Sequence, residues 1–155
     1  MNKKYSSAVL ILFCLMTVKN FAQTNSKIGM QVETAYIMDL TGSGKNIIAE
    51  VDFIKMLKGK AADAEAKKRH EGYPSVNKKG DTTWSALNDY FIVNDDKEVK
   101  KYALAPNAYI TLVTNGVVSL TKRKIADLKA TYKGGIYKLT IIKNTITKVE
   151  EIFVP

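Results

Sequence analysis

Ser119-Leu120-Thr121-Lys122-Arg123-Lys124-Ile125-Ala126-Asp127-Leu128-Lys129-Ala130-Thr131-Tyr132-Lys133-Gly134-Gly135, followed at once by the apolar-rich runs 136–142 and 145–154, is the stretch on which the fold turns. Ser119 or Thr121 is placed to cap a helix, Leu120, Ile125, Leu128 and Tyr132 fall along one side of it, and the glycine pair ends it. The two runs after it read as a hairpin about Lys143-Asn144, and the alternation of the second slips between Ile146 and Val149, which predicts a bulge. Several strands, one helix, then two strands is the order of an OB-type barrel.

Upstream of this stretch, residues 90–93, 99–105 and 109–113 read as strands, with turns at Asn94-Asp95-Asp96 and Pro106-Asn107. Farther back, Val32, Thr34, Tyr36 and Met38 recur at period two within residues 31–39, and Ala49, Val51 and Phe53 alternate with Glu50 and Asp52. Each of these strands therefore has one dry and one wet face. Gly42 and Gly44 between them permit the positive φ of a hairpin. The Gly-Ser-Gly-Lys there lacks the glycine spacing, the hydroxyl residue after Lys45 and the following helix of a phosphate-binding loop, so it reads as a turn.

Residues 61–71 are alanine-rich, with Asp63/Lys67 and Glu65/Arg69 at helical i,i+4 spacing and Gly72 as a stop. Lacking a large apolar stripe, this helix is predicted to ride outside on a shallow alanine face. Residues 72–89 form the longest irregular stretch, with Trp84 as its one large apolar anchor. Short turns between the strands make the sheet mostly antiparallel. The fold class read from these patterns is α+β, mainly β: a sheet curled into a small, partly closed OB-like barrel with two short helices, a plain α+β sheet being the alternative.

The 155 residues suit one domain, and 46% hydrophobic with 25% charged residues fits neither a disordered chain nor a polytopic membrane protein. Lys3 and Lys4 precede an apolar run at 8–18 that is too short to span a bilayer, so residues 1–22 read as a signal peptide and 23–155 as a single β-rich domain, periplasmic or secreted. No transmembrane segment is read in the mature chain. Phe13 before Cys14 argues against lipid attachment there, and the only cysteine leaves with the leader. The mature chain then has no thiol chemistry, and no cofactor is expected. Removing Lys3, Lys4 and Lys19 from 24 basic residues leaves 21 against 15 acidic ones, so a formal +9 becomes +6.

Asn88-Asp89-Tyr90-Phe91-Ile92-Val93-Asn94, Tyr102-Ala103-Leu104-Ala105-Pro106-Asn107-Ala108-Tyr109-Ile110-Thr111-Leu112, Val118-Ser119-Leu120, Ile142-Lys143-Asn144, Val149-Glu150-Glu151 and the terminal Pro155 together resemble an uncharacterised group of small exported bacterial proteins. Gly44-Lys45, Leu57, Gly59 and residues 61–68 extend the resemblance over most of the mature chain. Asn144-Thr145 stands where that group usually has Asn-Gly, and Asp96-Lys97 where it often has Asn-Pro. The resemblance implies an exported domain and carries over no activity.

One imidazole, His70, excludes a catalytic triad and a multi-histidine zinc site, and its charged helix marks it as a surface residue. Glu50 with Asp52, and Glu150 with Glu151, are the candidate paired carboxylates. The first pair reads as the wet face of a strand, and the second, being adjacent, points to opposite faces. Residues 94–98 offer oxygens but not the spacing of a calcium loop, and read as a solvated turn.

Four basic clusters remain, the last being Lys122-Arg123-Lys124 at the start of the second helix, where the macrodipole disfavours cations and a bound anion would offset them. With Trp84, Tyr90, Tyr102 and Tyr109 they compose a ligand-binding face of the OB type. Export argues against nucleic acid as the partner. The expected function is a non-enzymatic binding or interaction module for a protein or an anionic envelope polymer. The alternative is an inhibitor of a secreted or periplasmic hydrolase, plugging a cleft with residues 94–98 or the loop around Trp84.

Overall fold

The computed structural model describes residues 29–119 and 121–154; the proposed leader with Cys14, Leu120 and Pro155 lie outside the described residues. In chain order the elements are β1 (Gln31–Ser43), β2 (Asn46–Lys58), α1 (Lys60–Arg69), β3 (Tyr73–Val76), β4 (Thr82–Ser85), a 3₁₀ turn (Leu87–Asp89), β5 (Tyr90–Val93), β6 (Val99–Thr111), β7 (Val113–Thr114), β8 (Val117–Val118), α2 (Ile125–Thr131), β9 (Ile136–Ile142) and β10 (Thr145–Ile152). Five of the strands close into a barrel, β1 to β9 to β10 to β6 to β2 and back to β1, and β5 extends the sheet beyond β2. The pairings round the ring are antiparallel except β6 with β10, which is parallel, and α2 lies between β6 and β9 in the chain. This is the OB-like barrel of an α+β, mainly β domain, with the ring complete.

The dry face of β1 differs from the expected one. Ala35, Ile37 and Leu40 are buried, whereas Val32 and Met38 are exposed and Thr34 and Tyr36 are half-buried. A register shift against β2 between Ile37 and Asp39 changes the phase, so Leu40 rather than Asp39 turns inward. Asp39 occupies that irregularity. Its Oδ1 accepts the Leu40 N–H at 2.8 Å and the Tyr132 hydroxyl at 3.1 Å. On β2, Ile47, Ala49 and Val51 point inward as alternation requires. Gly42, at φ 82°, turns the β1–β2 hairpin where a Cβ would run into the Asn46 carbonyl oxygen.

The bulge expected in the last strand is present, as a register shift between Ile146 and Lys148 against both neighbours. Opposite it, β6 skips from Leu104 to Tyr109. Pro106, which has no N–H, falls in the skipped part, so the two strands expected at 99–105 and 109–113 are one strand with an irregular middle and no turn.

Helix α2 starts later than Ser119 or Thr121. The Asp127 carboxylate accepts the Lys124 N–H at 2.9 Å and fixes the first turn at Ile125, while the Ser119 hydroxyl accepts the Thr121 N–H at 3.3 Å in a separate local turn. Val113 to Val118 form the small β7–β8 hairpin on Asn115-Gly116, both at positive φ. Leu128 and Tyr132 enter the core, completely and nearly so.

Helix α1 buries Ala62 and Ala66 and no larger side chain, so its alanine face is indeed shallow. It ends at His70, left-handed at φ 54°, with the Glu71 N–H donating to the Ala66 carbonyl at 3.0 Å, so Gly72 is not the stop. Glu65 pairs with Arg69 at 2.6 Å, but Asp63 accepts the Ala86 N–H at 2.9 Å rather than pairing with Lys67. The stretch 72–89 is ordered as the β3–β4 hairpin and the 3₁₀ turn. Asn77 Oδ1 accepts the N–H groups of Lys79 and Asp81 at 2.8 and 3.0 Å, an Asx-type closure that composition alone does not distinguish from irregular loop.

The Tyr137 hydroxyl is buried without a partner, and burial, then the Glu151 carboxylate, pushes the phenol well above its ordinary value. Two substitutions separate packing from polar burial. Leu128→Ala should cost about 2–5 kcal/mol, whereas Tyr137→Phe should gain about 1 kcal/mol by removing the orphaned hydroxyl. Denaturant melts of both variants check the two signs.

Candidate functional site

The residues expected to form one aromatic, basic face are distributed over several places. Tyr102 opposes buried Ala49 across β2–β6 and meets Phe53 edge-on at 5.8 Å, so it belongs to the inner side of the barrel. The outer side of the same ladder presents Ile48, Ala103 and the Glu50–Lys101 ion pair at 2.8 Å. Trp84 stacks on His70 with centroids 6.4 Å apart, against α1, and His70 itself is exposed. Tyr90 lines a cleft of about 440 Å³ with Tyr36, Gly135, Glu151 and Phe153.

Tyr109 and the Lys122-Arg123-Lys124 run do come from adjoining segments. The Arg123 N–H donates to the Ile110 carbonyl at 2.8 Å, Arg123 Nη2 to Thr114 Oγ1 at 3.1 Å, and Lys122 Nζ to the Asn107 carbonyl at 3.3 Å. The three basic residues line a cleft of about 370 Å³ with Pro106, Ala108 and Ile125. Tyr109 is 41% exposed, with Lys148 Nζ 5.7 Å from its ring centre. The run precedes α2, and Asp127 already supplies negative charge to the first turn, so the helix itself calls for no outside anion.

A different cleft was not visible in the sequence. Tyr36 and Asp52 are direct partners across β1–β2, on the outer side because Ala35 and Val51 point inward. Asp52 is therefore not on a wet face: it is 5% exposed, with Oδ2 accepting from Asn94 Nδ2 at 2.8 Å. Asp52 Oδ1 and Asn94 Oδ1 are buried without donors. Both residues line a cleft of about 470 Å³ together with Tyr36, Met38, Lys97 and Lys133, and it adjoins the Tyr90 cleft through Tyr36 and Gly134. Burial, then the Tyr90 phenol and the Asp52 carboxylate, raises the Tyr36 phenol above its ordinary value, so it stays a proton donor at neutral pH. The only hint in the sequence is an aspartate inside Val51-Asp52-Phe53-Ile54, a run otherwise suited to a strand.

The other carboxylates are engaged locally. Glu150 pairs with Lys148 at 2.8 Å, and Glu151 Oε2 accepts the Val113 N–H at 2.7 Å. Residues 94–98 are more constrained than a solvated turn. Asn94 reaches Asp52, Asp95 takes two hydrogen bonds from Arg69 at 2.6 and 2.7 Å, and Glu98 pairs with Lys100 at 3.0 Å. Among the described residues no group of three or more His, Cys, Asp or Glu side chains converges to hold a metal ion, and no helix is long and apolar enough to cross a membrane. No family model, curated protein or solved structure matches the chain.

Arg69 holds α1 to the loop that carries Asn94, and its hydrogen bonds lower both the Asp95 and Glu65 carboxyls below their ordinary values. Depressed carboxylates contribute stability above their unfolded-state pKa that is lost as pH falls through the folded one. Arg69→Ala should raise both titration midpoints toward ordinary values. A carboxyl ¹³C titration by NMR reads them directly.

Proposed function

We propose that the chain is an exported, non-enzymatic binding module, periplasmic or secreted, of the kind its resemblance implies, and that it engages an anionic envelope polymer. The observation that carries this reading is the Lys122-Arg123-Lys124 cleft, in which no described carboxylate lies within 4.0 Å of any of the three basic groups. Arg69, Lys100, Lys101 and Lys148 are each neutralised by an acid. Three consecutive cations on one cleft fall within a Debye length of about 8 Å at physiological salt, so they act on a polyanion together, as scattered lysines do not. Tyr109 on the adjoining strand segment offers an aromatic surface beside them.

Retention of the purified protein on a polyanionic matrix tests this. Replacing all three residues by alanine should lower affinity at least about tenfold, roughly 1.4 kcal/mol, and molar salt should abolish binding. Salt-resistant binding, or binding unchanged by the substitutions, would remove the electrostatic reading. Hydrolysis of an ester, glycoside or peptide that is lost on changing one carboxylate would replace it with an enzyme.

A second reading, inhibition of a secreted or periplasmic hydrolase, draws on the β3–β4 hairpin. Its turn is braced by Asn77 and Asp81, and Tyr73 and Val76 are 62% and 69% exposed. Such a hairpin suits a groove in another protein. A stoichiometric complex with a hydrolase from envelope or culture-medium fractions, lost on Tyr73→Ser with Val76→Ser, is the outcome this reading requires.

A further inference from the structure

We propose that the cleft over Tyr36 and Asp52 is a separate binding site for an anionic saccharide, a sugar ring carrying a carboxylate. Its floor is a fixed polar pair. Asn94 donates Nδ2 to Asp52 Oδ2 at 2.8 Å, which orients its amide and leaves Asn94 Oδ1 and Asp52 Oδ1 side by side in need of donors. A buried acceptor left unmet costs about 1–3 kcal/mol, more for a charged group, so the pair favours any ligand that donates to it.

The size and rim of the cleft narrow the ligand. A single water occupies about 30 Å³ of liquid volume, a small part of a cleft of about 470 Å³ that falls within the range of small-molecule sites. Hydroxyl groups donate to the two orphaned oxygens and also accept from the remaining amide proton of Asn94. An ammonium group only donates. Tyr36 gives the face of a ring to stack upon and a phenol that keeps its proton, and Met38, 49% exposed, adds apolar surface. Lys97 and Lys133 lie exposed on the lining, where neither has a described carboxylate within 4.0 Å. They repel a cationic ligand and attract a carboxylate. Sugar hydroxyls on Asp52 and Asn94, with the carboxylate toward the lysines, satisfy every group named.

The site shares no residue with the Lys122-Arg123-Lys124 cleft, so the two proposals stand or fall separately. The test is titration of the ¹⁵N-labelled protein with sodium D-glucuronate and sodium D-galacturonate, with glucose, glycine and calcium chloride run in parallel. At least one uronate should shift the amides of Tyr36, Asp52, Asn94 and Gly134, and glucose should do so about tenfold more weakly, for want of a charged partner. Asp52→Ala should abolish the shifts. Because Asp52 is buried and its loss can unfold the strand pair, the exposed double variant Lys97→Glu with Lys133→Glu is the second test, expected to weaken uronate by about tenfold or more while leaving the spectrum folded. The Lys122, Arg123 and Lys124 alanine variant should bind uronate as the parent does. Shifts at these amides with glycine or calcium but with neither uronate would overturn the proposal in favour of a zwitterion or cation site, and no shift with either uronate overturns it outright.

Discussion

Closure of the barrel depends on one strand serving two neighbours. From Gln31 to Tyr36, β1 pairs with β9, and from Thr34 to Ser43 it pairs with β2, so residues 34–36 carry both ladders. A straight strand would leave the ring open. The irregularity between Ile37 and Asp39 lets β1 bend, and the Asp39 carboxylate gathers the Leu40 N–H and the Tyr132 hydroxyl at the bend. Burial, then that same carboxylate, raises the Tyr132 phenol above its ordinary value, which keeps the donor in place. One acid thus links the change of direction in the sheet to the helix that fills the barrel.

Features set by short-range chemistry were legible in the sequence. Gly42 and Gly44, the Lys143-Asn144 turn with both residues at positive φ, the slip after Ile146 and the alanine face of α1 each follow from a few adjacent residues. The phase of β1 was not legible, because both of its faces carry apolar residues and the shift at Asp39 is dictated by what lies across the barrel. Pro106 looked like a turn because the gap that accommodates it is created by β10, about forty residues later. The start of α2 misled for a related reason: several hydroxyl residues compete to cap it, and Asp127 decides from inside the helix.

The candidate sites divide along the same line. The Lys122-Arg123-Lys124 run is contiguous, and contiguity made it visible. Asp52 and Asn94 are 42 positions apart and meet only because β5 extends the sheet beyond β2. Alternation marks Asp52 as solvated, and composition marks Asn94 as a turn residue. Both readings were reasonable locally, and both are overturned by a contact between distant segments. Tyr102 is the mirror case, an aromatic that looked available and is spent on Phe53 inside the barrel.

The position of β10 also governs when the molecule can exist as a fold. The last strand in the chain lies between β6 and β9, and no other strand bridges those two. Until residues 145–152 are available, everything made earlier is a curved open sheet with unpaired edges at β6 and β9, held by contacts that leave the core exposed. The chain is therefore a poor folder from its beginning and a cooperative one at its end, and its maturation is timed by its own C-terminus.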